Sequence, residues 1–500
     1  MLWLGLYLLV TSSNAARVLF NGMHSSDSHI GSMMPLASRL ANDKYTVHFL
    51  ETNMKPTHFN YPKNIDFTHI ELKKDPFYVK QYLELLWTKI FGPIEFPRIW
   101  ETGDNALVEM LEHHPHKMDT VLNKTWDMVV ADELFSVSSY ALALKAESRG
   151  NTFVTLSTCI PTNLIKYHLS LDDEPCGNSA AVAARTSSLA ATVPRSPHGP
   201  GAVPELRRSR RKDGEPCRIA RCAVPVHYSR ANPRVIDEDK GTPFTLRPSM
   251  YHRTAVPYQI ENFSSRLHSA VRETYKAIRT QHVTSNVAVK GLRKLGFHNF
   301  DFSMLATNSA YYFLDDINSL VFPSPVSTGI AEIGFNCPQV KELPSEYQEF
   351  LEDSTSKGTI LVAFGSNVLW DYAPDAILNS IATALNQLKE IVFSYNGDID
   401  RVRHLGGHVK VTRWAPQKEI LAHNKTVLFV SHGGLKSLKD TICGATPVVY
   451  IPLFAEQSHN SELARAAGFA EVVLKNHLSA ESLENTMRRV AGMSQIKTRA

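Results

Sequence analysis

The chemistry-bearing side chains of this 500-residue chain are concentrated in the stretch Phe429–Asn460, FVSHGGLKSLKDTICGATPVVYIPLFAEQSHN. Its apolar start, Val427–Val430, predicts a strand that runs into Ser431-His432-Gly433-Gly434, after which a helix is expected. Two glycines let backbone approach a ligand closely, and a helix N-terminus presents unpaired N–H groups at the positive end of its dipole. Together they make a site for a diphosphate. The His432 ring and the Ser437 hydroxyl each add a donor there, and Asp440, one helical turn after Lys436, offers a carboxylate to vicinal hydroxyls. A second strand, Val448–Ile451, leads to Glu456-Gln457, an acid and an amide side by side at a strand end, which suits the hydroxyls of a sugar. Upstream, Trp414-Ala415-Pro416-Gln417 supplies an aromatic face and an amide for a flat base, and Gly365-Ser366 forms a second phosphate-facing turn.

A separate constellation sits near the amino terminus. Asp27-Ser28-His29 falls where the first strand gives way to a helix, at the carboxyl end of that strand. Histidine titrates near neutrality and suits proton removal from a hydroxyl. His29 is the expected base, with His24 as the alternative. A carboxylate that orients such a ring also stabilises its charged form. Asp127 and Asp132 flank the strand Met128–Ala131, and Asp132 lies at the same end as His29.

These groups need elements to position them. Apolar runs at Arg17–Phe20, Thr46–Leu50, Met128–Ala131 and Phe153–Leu156 alternate with helical spacing at Ile30–Leu40 and Ser139–Ala146. The second half repeats the pattern, with strands at Ile360–Phe364, Glu390–Phe393, Val409–Val411, Val427–Val430 and Pro447–Ile451 and helices at Ala376–Leu388, Leu435–Ile442 and Ser458–Ala467. Strands alternating with helices predict parallel sheets covered on both faces, with ligands beyond the carboxyl ends of the strands. The length is too great for one core. The chain is therefore expected to be α/β, with two Rossmann-like domains facing a cleft and a linker near Phe335–Pro344.

The run Trp414–Asn460 resembles the signature of the family 1 UDP-glycosyltransferases, of the animal UDP-glucuronosyltransferase type. Trp-x-Pro-Gln, His-Gly-Gly, a serine, an acid, a proline and acid-Gln-x-x-Asn occur in order and at matching gaps. The resemblance covers both halves and implies a GT-B-type fold. It further implies hexosyl transfer, glucuronosyl or glucosyl, from a UDP-sugar to a small lipophilic acceptor hydroxyl with inversion. By the same resemblance Trp414 stacks on uracil and Gln417 binds its edge. His432, Gly434, Ser437 and Ser366 hold the diphosphate, Asp440 the ribose, and Glu456 and Gln457 the sugar, with Asn460 supporting that loop. His29 matches the family's catalytic histidine and Asp132 the aspartate that follows the corresponding strand. The chain departs from the pattern in having Glu456 where Asp is common, Asp440 where Glu is common, Lys436 where Asn is common and Ala445 where a glycine is expected. These departures bear on donor affinity and sugar preference.

Composition sets the remaining bounds. A 43% hydrophobic and 20% charged chain with a net charge of +4 is an ordinary globular protein with no sign of a nucleic-acid partner. Leu2–Val10 followed by small residues to Ala16 reads as a signal peptide, 1–16, too short to span a bilayer. Six cysteines, Cys159, Cys176, Cys217, Cys222, Cys337 and Cys443, have no zinc-like spacing, and their pairing is open. Sequons at Asn123, Asn262 and Asn424 fit a luminal glycoprotein. The expected layout is an acceptor-binding domain at 17–335, irregular over 177–253, a UDP-sugar-binding domain at 336–475 and an incomplete helical segment at 476–500.

No acidic metal motif is evident, and no cofactor beyond the UDP-sugar co-substrate is expected. The family's membrane-spanning tail is absent before Ala500, so the expectation is a protein of the endoplasmic reticulum lumen, membrane-associated, or secreted if the chain ends there. A homo-oligomer is compatible. Two other classes fit parts of the pattern: a catalytically impaired UDP-sugar- or lipophile-binding homologue, and a sugar-nucleotide epimerase, which would release sugar without an acceptor.

Overall fold

The computed structural model describes residues 15–157 and 289–492, apart from gaps at 74, 90–98, 133–135, 301–307, 316, 318–329, 334–336, 338, 355 and 455, together with a few positions between 262 and 271. The apolar run Leu2–Val10, the irregular stretch Gly177–Arg253, and Cys159, Cys176, Cys217 and Cys222 lie outside the described residues.

The first half begins with β1 (Arg17–Asn21), buried along nearly its whole length. Such a strand is packed on both faces, which is why its sequence is continuously apolar rather than alternating. Val18 and Phe20 pack with Ile30, Met33, Ala37 and Leu40 of helix α1 (Asp27–Asn42). Leu19 points to the other face, among Trp100, Leu107, Val129 and Tyr140. Ser26 is the N-cap of α1 in extended backbone, and Asp27 places its charge near the positive end of the helix dipole. There follow β2 (Thr46–Asn53), β3 (Asp66–Glu71), α2 (Ile99–His113), α3 (Pro115–Leu122), β4 (Met128–Asp132), α4 (Val137–Ser148), β5 (Thr152–Ser157), α5 (Lys290–Lys294), β6 (Tyr312–Leu314) and β7 (Ile330–Glu332). The strands form one sheet in the order β3-β2-β1-β4-β5-β6-β7, with every pair parallel.

The second half contains α6 (Ser345–Leu351), β8 (Thr359–Ala363), α7 (Asp375–Asn386), β9 (Ile391–Ser394), β10 (Val409–Thr412), α8 (Gln417–Ala422), β11 (Thr426–Ser431), α9 (Leu435–Cys443), β12 (Val448–Tyr450), α10 (Gln457–Ala466), β13 (Ala470–Val472) and α11 (Ala480–Ala491). Its sheet runs β10-β9-β8-β11-β12-β13, again all parallel. Ile360, Val362, Leu428 and Val430 face a core shared with Leu483, Met487 and Val490 of α11, while Leu361 and Phe429 face the opposite layer.

Both sheets carry the doubly wound order in which the chain leaves the first strand in one direction and returns to its other side. The switch points lie between β1 and β4 and between β8 and β11, and ligands of such sheets bind at the carboxyl ends there. The fold is thus the expected pair of Rossmann-like domains. The sequence pattern overlooked four strands. β6, β7 and β13 are three residues each, too short to show a period. β3, DFTHIE, is an edge strand in which Ile70 alone is buried, so it shows no apolar period.

The halves also meet outside the main chain connection. Short helical turns over 76–87 leave the first half and insert Leu86 and Trp87 into the second half's core. The Trp87 ring lies 5.0 Å from that of Trp370 and 6.4 Å from that of Phe364.

Candidate active site

The loop after β1 carries Gly22 to Ser26, and His29 sits in the first turn of α1, one step later than the loop position the sequence suggested. Its Nδ1 lies 2.7 Å from Asp132 Oδ2, and both side chains are buried. The Met23 backbone N–H donates to the same oxygen at 2.8 Å. Two donors converging on one carboxylate oxygen put the proton on Nδ1, which makes Nε2 the basic nitrogen of the ring. Adjacent parallel pairing of β1 and β4 brings the two residues together, since Asn21 pairs with Ala131 and both side chains follow at the same end.

His24 is held by hydroxyls, with Asp75 acting on it only as a minor charge. Its Nδ1 contacts Thr52 Oγ1 at 3.1 Å, and burial pushes its pKa down to about 4. Asp127 is at the opposite end of β4, where it accepts the Arg17 N–H at 2.7 Å and pins the start of β1.

In the second half, β11 ends at Ser431, and Gly434 is the N-cap of α9, with no side chain capping the first turn. The helix N–H groups are thereby left for a ligand. The His432 ring is wedged between two glycines. A Cβ on Gly365 would come within 2.9 Å of the ring, and one on Gly434 within 2.7 Å. Gly365 also has φ of +71°, open to glycine at little cost. Phe364 stacks on the imidazole with centroids 6.3 Å apart. Burial pulls the His432 pKa down to about 4, so near neutrality the ring is uncharged and offers a single N–H. Ser437 is buried in the first turn of α9, and Ser366 follows Gly365 in the turn after β8.

Trp414 stands out from the surface, 72% exposed, with its carbonyl accepting from Tyr347 and Thr412. Gln417 opens α8 and donates from Nε2 to Asp440 Oδ2 at 2.8 Å. Burial holds the Asp440 carboxyl above its ordinary pKa, and the Gln417 hydrogen bond opposes that shift. Glu456 and Gln457 are both buried at the start of α10. Gln457 Oε1 accepts from the backbone N–H groups of Leu453 and Phe454 at 2.9 and 3.1 Å, which shapes the loop before it. Asn460 Nδ2 donates to the Gly433 carbonyl at 2.9 Å and ties that loop to the glycine turn.

Several contacts across the halves escaped the sequence, and two of them lie beside helix α1. Asn367 Nδ2 reaches Ser26 Oγ, at the N-cap of α1, at 3.4 Å. Lys436 extends over Gly31 of α1, where an added Cβ would fall 2.4 Å from Nζ. Cys337 and Cys443 form a disulfide that fastens the interdomain segment to the last turn of α9. These residues are far apart in the chain, and only their proximity in space identifies them. Among the described residues no group of His, Cys, Asp and Glu side chains is placed to hold a metal ion, and no helix is long and apolar enough to cross a membrane.

Residues 244–498 match the family model described as UDP-glucoronosyl and UDP-glucosyl transferase. A UDP-glucuronosyltransferase of Pleuronectes platessa is 31% identical over 198 residues, covering 39% of this chain and 41% of that protein. UDP-glucuronosyltransferase 2A2 of Mus musculus is 32% identical over 181 residues, covering 36% of this chain and 34% of that protein. The matched stretches thus span well under half the length of these relatives. Among solved structures, the glycotransferase of kitacinnamycin superposes with a TM-score of 0.53 over 97% of this chain and 93% of its own, at 11% identity. That likeness is one of fold, the GT-B arrangement of two Rossmann-like domains.

Proposed function

The chain belongs to the UDP-glucoronosyl and UDP-glucosyl transferase family, and from that premise we propose that it transfers a hexosyl group, glucuronosyl or glucosyl, from a UDP-sugar to the hydroxyl of a small lipophilic acceptor, with inversion. The observation that carries the reading is the buried His29–Asp132 pair on one half, set against an uncapped helix N-terminus and a neutral His432 on the other. The Asn367–Ser26 contact holds those two sets of loops together.

In this reading the acceptor hydroxyl meets His29 Nε2, which takes its proton as the oxygen attacks the anomeric carbon. The Asp132 carboxylate stabilises the imidazolium that forms. Attack comes from the side opposite UDP, so the configuration at the anomeric carbon inverts. The C–O bond to the diphosphate breaks, and its electron pair leaves with UDP. The N–H groups of α9, the single N–H of His432 and the hydroxyls of Ser437 and Ser366 receive that charge, with Gly434 allowing the close approach. Trp414 stacks on uracil, Gln417 and Asp440 serve base and ribose as a hydrogen-bonded unit, and Glu456 and Gln457 hold the sugar. A disulfide and a signal-like start fit an oxidising lumen, that of the endoplasmic reticulum.

The test is UDP release from UDP-glucose and from UDP-glucuronate with a panel of phenolic and steroidal acceptors, comparing the wild type with His29→Ala. Acceptor-dependent release that the variant loses supports the reading and identifies the donor. Donor binding without any acceptor-dependent release would overturn transfer, and release untouched by the substitution would remove His29 as the base.

A further inference from the structure

Lys475 follows β13 at the carboxyl end of the second sheet, in a place no signature residue occupies. Its Nζ donates to three backbone carbonyls: Leu453 at 2.6 Å, Leu86 at 2.5 Å and Lys89 at 2.7 Å. An ammonium has three N–H donors, and here each finds an acceptor. The side chain has no carboxylate partner among the described residues. Two of the three carbonyls belong to the first half of the chain, in the segment that sends Trp87 into the second half's core. The third belongs to the loop between β12 and α10, which leads into Glu456 and Gln457.

The Leu453 residue is therefore gripped from both sides. Gln457 Oε1 takes its N–H at 2.9 Å, and Lys475 takes its carbonyl. The same first-half segment reaches the site by a second route, since Trp87 packs on Phe364 and Phe364 on the His432 ring. A tie between halves does not need a buried charge, because an amide would serve if strength did not matter. Charge-assisted hydrogen bonds are about twice as strong as neutral ones, and a cation satisfied only by carbonyls is hard to replace.

We propose that Lys475 is a positioning residue: it locks the loop that presents Glu456 and Gln457 to the first-half segment Leu86–Lys89, so that the sugar end of the donor and the acceptor-side half are held in one register. The inference rests on the donor-site reading above. Its direct hold is on the sugar-end loop, because none of the three carbonyls lies on the elements that carry Trp414, Gln417 or His432.

The experiment compares wild type, Lys475→Met and the milder Lys475→Gln in three measurements: UDP affinity and stoichiometry by calorimetry, KM and kcat for the UDP-sugar, and KM for the acceptor. Both variants are expected to bind one UDP per chain with affinity within about twofold of wild type, while KM for the UDP-sugar rises about tenfold in Lys475→Met, the scale of one lost charge-assisted hydrogen bond. The acceptor KM should rise with it, and Lys475→Gln should show the same split to a smaller extent. A merely structural role predicts something else, a fall in kcat that tracks the fraction of chains able to bind UDP, with both KM values unchanged. That result, or no change at all, would overturn the inference. A wild type that does not bind UDP would instead sink the donor-site reading beneath it.

Discussion

The Gln417 amide donates to the Asp440 carboxylate across 2.8 Å, joining the first residue of α8 to the middle of α9. Two side chains with separate assignments in the signature are thus one unit. Gln417→Leu and Asp440→Asn should each raise the donor KM by about tenfold, and the double variant should cost little more than the worse single one, because coupled residues are not additive. Steady-state kinetics on the four proteins measures the coupling, and strictly additive losses would show that the two act independently.

The His29–Asp132 pair makes a sharper demand on kcat. Removing the base by His29→Ala should lower kcat by about 10²–10⁴-fold, the usual worth of a positioned proton acceptor. Asp132→Asn keeps an acceptor oxygen within reach but removes the negative charge that stabilises the imidazolium, so kcat should fall strongly while UDP affinity stays put. Unchanged turnover in Asp132→Asn would mean the pair is structural.

Gly365 is held at φ +71° beneath the His432 ring, with space for a hydrogen and not for a methyl. Gly365→Ala should destabilise the fold by roughly 1–2 kcal/mol and weaken UDP binding by displacing the imidazole. Chemical denaturation and UDP titration read the two effects separately. A methyl accommodated with no loss of UDP affinity would count against His432 as a diphosphate ligand.

His24 and His432 both have folded-state pKa values near 4, against an ordinary 6.5, because burial disfavours the charged ring. Between about pH 4 and 6.5 the unfolded chain therefore binds protons at these rings that the folded chain does not. Stability rises with pH where the unfolded state holds more protons, so acidification through that window should unfold the protein progressively. His24→Gln, which keeps hydrogen-bonding capacity without titrating, should flatten the urea stability profile there by about one proton. An identical slope in the variant would show that His24 charges in the folded state.

The Cys337–Cys443 bridge closes a loop with a sequence separation of 106 residues. Replacing both cysteines with serine should lower stability by about 3–5 kcal/mol on the chain-entropy account. Thermal unfolding of the wild type with and without reductant, beside the double variant, tests it. A reductant effect that persists in the double variant would place the effect on other cysteines.

Much of this was legible before any coordinates. Strands buried on both faces show as continuous apolar runs, so β1, β2, β4, β8, β11 and β12 announce themselves, as does the strand–glycine–helix turn at His432. The edge strand β3 and the short strands β6, β7 and β13 do not, since an element without an apolar period leaves no trace. Asp132 was separable from Asp127 because strand polarity alone says which end faces a cleft, and the short Asp127 bond to the Arg17 N–H shows what occupies the other end.

The sequence by itself determined the two-fold βα pattern and the local chemistry of each signature loop, because both depend on residues close together in the chain. Contacts between distant residues were decided by tertiary structure alone. The Cys337–Cys443 pairing, the Gln417–Asp440 bond, the approach of Asn367 to Ser26 and the three carbonyls gathered on Lys475 depend on how two sheets and their connections come to rest against one another. The same packing decides the charge state of His432, because desolvation is a property of the surroundings a ring is folded into and not of the residues beside it in sequence.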